Sequence, residues 1–118
     1  MTSSYEAAAD SVNASAAELT RSHPDAMRGF KALGAAAYAD GALTRKTKEL
    51  ISLALSVASR CDGCVAYHAR RLSELGVERN QVVEAIGVAI QMGGGPSMVY
   101  GGEALRAFDT FQADALAA

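Results

Sequence analysis

Cys61 and Cys64 stand three residues apart, and His68 follows four residues later. If one helix starts near Cys61, the three side chains share a face, because residues three and four apart are neighbours on a helix surface. A helix N-terminus offers unpaired N–H groups and the positive end of the dipole. These stabilise a thiolate and can lower a cysteine pKa from about 8.5 to between roughly 3.5 and 7.5. His68 can take the proton of Cys64 or hold an imidazolium beside its thiolate. A second thiol in reach turns this chemistry from hydrolysis towards redox. A sulfenic acid on Cys64 would condense with Cys61 into a disulfide, which an external thiol can reopen by exchange.

Which sulfur attacks is open at this level. The one-turn spacing to His68 favours Cys64, whereas the position nearest the helix N-terminus favours Cys61, as in thioredoxin-like pairs. Glu49 lies twelve positions before Cys61, near the start of a strongly apolar helix, where an inward-facing carboxylate would be costly without a partner. Antiparallel packing of the two helices carries it back towards His68. At about 1.5 Å per residue the two differ by a turn or more in height, so the expected hydrogen bond to His68 is either direct or carried by a bridging water. The competing expectation is an exposed Glu49 paired with Arg45 or Lys46.

Helices must position these groups, and the chain reads as helical throughout. Ser3 and Glu6 form a capping box for a first helix from Tyr5 to about Arg21. Pro24 suits the first turn of a second helix, with His23 at the junction as a surface or capping residue. Met27, Phe30, Leu33 and Ala37 recur there at helical spacing until Gly41. Thr44 caps a third helix to about Ser59 that is apolar on more than one face and belongs in the core or at a subunit interface. The chain then bends at Arg60-Cys61-Asp62-Gly63. Val65, Ala69, Leu72 and Leu75 mark the buried stripe of a fourth helix ended by Gly76. A fifth runs from about Arg79 to Gln91 with Val82, Val83, Ile86 and Ile90 inward. Gly93-Gly94-Gly95-Pro96 makes a tight turn, and a last helix spans about Ser97 to Ala117.

Composition agrees with an all-α fold: Trp is absent, aromatic residues are only 6% and Ala is abundant, which suits closely packed helices better than a sheet. The 118 residues, without repeat or linker, read as one helical domain over 1–118. A net charge of −2 with interspersed signs offers no footprint for nucleic acid or an anionic membrane. No run approaches the roughly 20 apolar residues of a membrane span, and the start lacks signal-peptide character. A cytoplasmic location is expected. Two cysteines in a reducing compartment then point to redox or metal chemistry rather than a structural disulfide.

Other uses of these residues stay open. Cys61, Cys64, His68 and Glu49 could ligate Zn²⁺, although structural zinc sites draw their ligands from two separated Cys/His pairs. The cysteines could be buried and inert, or could serve a helical assembly protein only as oxidation sensors. Tyr67 and Tyr100 could line a pocket, but an aromatic on a helix more often packs. The redox reading itself requires no cofactor and no metal.

The pattern Glu49, eleven residues, Cys61, two residues, Cys64, three residues, His68 resembles the alkylhydroperoxidase D (AhpD) type motif of the carboxymuconolactone decarboxylase superfamily. Lys48-Glu49-Leu50-Ile51-Ser52-Leu53-Ala54 before it, and Leu75-Gly76-Val77 with Glu84-Ala85 after it, extend the likeness over roughly residues 43–102. The resemblance implies an AhpD-like fold of about six helices with the cysteine pair on a helical hairpin. It further implies homotrimers or homohexamers and hydroperoxide reduction, with Cys64 attacking, Cys61 resolving and Glu49 with His68 as a proton relay. A dithiol of lipoyl or thioredoxin type would be the reductant. AhpD itself carries a further His between its cysteines, where this chain has Asp62 and Gly63. The decarboxylase branch, which shares the fold but needs no thiol pair, is the rival enzyme.

Overall fold

The computed structural model describes residues 4–117, and among these the chain is all-α, with six helices. They are α1 (Ser4–Ser22), α2 (Pro24–Tyr38), α3 (Arg45–Ala58), α4 (Asp62–Glu74), α5 (Arg79–Gly93) and α6 (Gly95–Ala117). Ser3 of the expected capping box lies outside the described residues. His23 caps α2 through Nδ1, which accepts the Ala26 N–H at 3.3 Å, and Thr44 caps α3 by accepting from Thr47 N–H.

The core is built on α3 to α6, with Leu53 and Val57 of α3, Val65, Ala69 and Leu72 of α4, Val82 and Ile86 of α5, and Ala104, Phe108 and Phe111 of α6. Ala9 of α1 joins it. Fully burying each large side chain contributes about 1.5–3 kcal/mol, so this cluster is the main force behind the fold. One position expected inward is not buried, and one apolar stripe has no cover. Val83, read as inward, is 39% exposed, and the stripe on α2 is uncovered: that helix buries no residue, with Phe30 and Leu33 open to solvent. Periodicity identifies an apolar face but not what covers it.

The joint between α5 and α6 is tighter than the four-residue turn expected. Only Gly94 is non-helical, with φ +72°, a left-handed conformation that glycine alone adopts at no steric cost. The helices therefore run two residues further towards each other than expected. Pro96 falls in the first turn of α6, where a missing N–H removes no helical bond.

The junction that carries the cysteines is equally short. Arg60 N–H donates to Val57 O and Cys61 N–H to Ser56 O, the paired bonds of a Schellman motif closing α3. The left-handed residue in such a motif is usually glycine, but here it is Arg60, at φ +55°. The next residue, Cys61, already caps α4. Three residues thus reverse the chain between α3 and α4 and set the register of the hairpin.

Candidate active site

Cys61 caps α4 with a sulfur rather than an oxygen: its backbone is extended, at φ −106° and ψ 101°, and its Sγ accepts the Cys64 N–H at 3.2 Å. Cys64 lies in the first turn of the same helix. The two form a disulfide with a Cα–Cα separation of 5.2 Å, and both are half-buried. The spacing expectation is met: both sulfurs lie at the positive end of α4, where a thiolate released by reduction is stabilised.

The chain comes close behind this loop. A Cβ on Gly63 would stand 2.9 Å from Val12 Cγ2 of α1, so a side chain there would force the Val12 side chain or the α1 contact to shift. From Gly63 an open groove of about 610 Å³ runs between α1 and α2, lined by Val12, Leu19, Met27 and Phe30 among others.

His68, one turn beyond Cys64, places Nδ1 2.7 Å from Glu49 Oε2 on α3. The contact is direct, the closer of the two links expected, although helix heights alone would have favoured a bridging water. Counting 1.5 Å steps treats the hairpin as two aligned cylinders, whereas the three-residue junction sets its own register. Glu49 is not the exposed surface residue of the competing expectation: its side chain is 2% exposed. Arg45 is nevertheless its second partner, with Nη2 3.8 Å from Oε1. An ionised carboxylate accepts only, so with Glu49 ionised the bonding proton sits on Nδ1 and Nε2 is the ring nitrogen left free.

Two tyrosines flank the imidazole. Tyr67 meets it edge-on at 5.1 Å between centroids, and Tyr38 lies tilted at 6.4 Å. Tyr38 also hydrogen-bonds Ser52 through its hydroxyl and receives the Arg45 guanidinium over its ring at 5.8 Å. Sequence reasoning weighed Tyr67 and missed Tyr38, which is thirty residues from His68 and carries no spacing signal. Tyr100 is half-buried and packs against the core. Among the described residues no three His, Cys, Asp or Glu side chains are grouped as metal ligands, and no helix is long and apolar enough to cross a membrane.

The arrangement therefore holds a dithiol/disulfide pair, a histidine one turn away and a buried carboxylate that orients it. Residues 24–109 match the model of the carboxymuconolactone decarboxylase family. An uncharacterized protein of Cupriavidus necator is 35% identical over 113 residues, covering 96% of this chain and all of the relative. A protein encoded in the cox locus of Paracoccus denitrificans is 35% identical over 80 residues, covering 68% of this chain and 72% of the relative. Among solved structures, a carboxymuconolactone decarboxylase family protein of Legionella pneumophila superimposes with a TM-score of 0.91 at 40% identity, covering 94% of this chain and 99% of that one. A family member from Thermotoga maritima, for which an antioxidative role is suggested, gives 0.75 at 27% identity over 93% and 91%.

Proposed function

The chain belongs to the carboxymuconolactone decarboxylase family, and from that premise we propose that it is an AhpD-like dithiol peroxidase that reduces hydroperoxides through Cys61 and Cys64. The observation that carries this reading is the buried Glu49–His68 contact of 2.7 Å one helical turn from a closed Cys61–Cys64 disulfide. A lactone decarboxylase would leave that disulfide without a task. The antioxidative role suggested for the Thermotoga maritima relative points the same way.

The cycle starts from the reduced pair. His68 Nε2 takes the Cys64 thiol proton, and the thiolate attacks the terminal oxygen of the hydroperoxide. The O–O bond breaks, the sulfur becomes a sulfenic acid, and the leaving alkoxide takes the proton from His68 and departs as the alcohol. Cys61 then attacks the Cys64 sulfenic sulfur and water leaves, giving the disulfide seen here. Two thiols and one hydroperoxide yield one disulfide, one alcohol and one water. An external dithiol, of lipoyl or thioredoxin type, restores the pair by exchange. Glu49 keeps the proton on Nδ1, so that Nε2 remains the working nitrogen. With Asp62 and Gly63 between the cysteines, this relay has two members. The groove that ends at Gly63 suits the apolar part of an organic hydroperoxide.

A cytoplasmic setting would keep the pair reduced between turnovers. The working form is a homotrimer or homohexamer, supported by the uncovered apolar residues of α2 and by Leu55, Val88, Met92 and Met98, each more than half exposed. Hydroperoxide consumption with alternative dithiol donors tests the function. Wild type should turn over and Cys64→Ser should not; equal rates in the two proteins would sink the reading.

A further inference from the structure

We infer that Tyr38 and Arg45 are positioning residues for the Glu49–His68 pair: they close its solvent side and hold the carboxylate in place. Glu49 is buried at 2% exposed, and His68 keeps only 18% of its side chain exposed. Tyr38 and Arg45, both half-buried, lie against the pair, Tyr38 beside the imidazole and Arg45 beside the carboxylate.

Their geometry is that of a latch. α2 buries no side chain, so packing alone does not hold its C-terminal end against the hairpin. Polar contacts do. The Tyr38 hydroxyl bonds Ser52, three residues after Glu49 and so on the same face of α3. Lys48 Nζ donates to Ala39 O at 2.5 Å, and Asp40 Oδ1 accepts the Arg45 N–H at 2.6 Å. These bonds tie residues 38–40 to Arg45, Lys48 and Ser52 of α3, the stretch that carries Glu49. Arg45 supplies the counter-charge that a buried carboxylate needs. Its Nε is buried without a hydrogen-bond partner, so Glu49 and the Tyr38 ring are what hold the guanidinium.

Excluding water strengthens the Glu49–His68 hydrogen bond and fixes the imidazole tautomer. The role of Tyr38 and Arg45 in turnover rests on the peroxidase reading, but the closure is a property of the folded chain and is measured separately. The measurement is solvent exchange of the His68 Nδ1 proton, followed by NMR in the full-length disulfide form. It should be slow in wild type. Tyr38→Ala should speed it about ten-fold or more. Tyr38→Phe, which keeps the ring and loses only the Ser52 bond, should speed it less, and Arg45→Met should speed it several-fold. Arg79→Met, which breaks the distant pair with Asp109, should leave it unchanged. Exchange in Tyr38→Ala within two-fold of wild type would overturn the inference. So would an equal rise in Arg79→Met, which would mean global opening, or a wild-type proton too labile to observe. If wild type consumes no hydroperoxide while these exchange rates hold, the peroxidase reading fails and the latch stands.

Discussion

Replacing Glu49 by glutamine and by alanine separates the charge of this side chain from its role as an acceptor. The carboxylate is 2% exposed, 2.7 Å from His68 Nδ1 and 3.8 Å from Arg45 Nη2. Hydrogen bonds involving a charged group contribute about 1.5–3 kcal/mol, against about 0.5–1.5 kcal/mol for neutral ones. Glutamine keeps an acceptor for Nδ1–H, so Glu49→Gln forfeits only the difference, about 1 kcal/mol. Alanine leaves both His68 and Arg45 unpaired and opens space beside the core, which costs about 3 kcal/mol. Urea unfolding of the disulfide-intact protein measures both losses. Hydroperoxide turnover in Glu49→Gln should fall roughly ten-fold or more, since a neutral amide no longer favours the imidazolium that forms during proton transfer. Identical unfolding midpoints in all three proteins would refute the buried pair. The expected loss of stability with unchanged turnover would leave Glu49 a structural residue and remove it from the relay.

Arg60→Gly should stabilise the protein by about 0.5–1 kcal/mol in urea, because a left-handed residue with a Cβ costs about 1–2 kcal/mol and glycine returns about 0.5–1 of that in unfolded-state entropy; a loss of stability would show that the Arg60 side chain makes a contact worth more than the strain. Glu103 accepts from Tyr5 at 2.5 Å and from Arg106 at 2.7 Å, and these bonds, the Tyr5 hydroxyl first, hold its carboxyl below the usual range. A depressed folded value means stability present above the unfolded carboxylate range and lost as pH falls through the folded one. Glu103→Gln should therefore melt lower at neutral pH, by an exposure-discounted deficit of about 0.5 kcal/mol, and converge on wild type in acid; a gap of constant size would contradict this. Wild type should sediment as a trimer or hexamer and Leu55→Asp as a smaller species, whereas a monomeric wild type at micromolar concentration would remove the assembly.

The cysteine turn was legible because helical periodicity alone aligns positions 61, 64 and 68, and because Cys61 stands where a capping residue must. Glu49 could be assigned to the inner face, since a carboxylate in an apolar helix needs a partner, but not placed to within a hydrogen bond. That distance depends on the Arg60 junction, where a non-glycine residue in the left-handed region leaves no sign in composition. Tyr38 and the latch were invisible for a related reason: spacing reports neighbours along one helix and says nothing of which loop folds over which helix. The stripe on α2 was legible as apolar, but periodicity does not say what covers such a face, and the same ambiguity made Val83 read as inward. The one-residue reversal at Gly94 needed only the φ freedom of glycine, yet three consecutive glycines gave no means of choosing which would turn.

The most direct measurement is a single turnover. Fully reduced protein is mixed with one equivalent of an organic hydroperoxide and no added thiol, and the products are followed by intact mass and by quantitation of the alcohol. One alcohol should form per chain as the protein loses two hydrogens to the Cys61–Cys64 disulfide, and Cys61→Ser should stop at a sulfenic acid on Cys64. Hydroperoxide left unconsumed, or a sulfenic acid that forms on Cys61 in Cys64→Ser at the wild-type rate, would contradict the assigned chemistry.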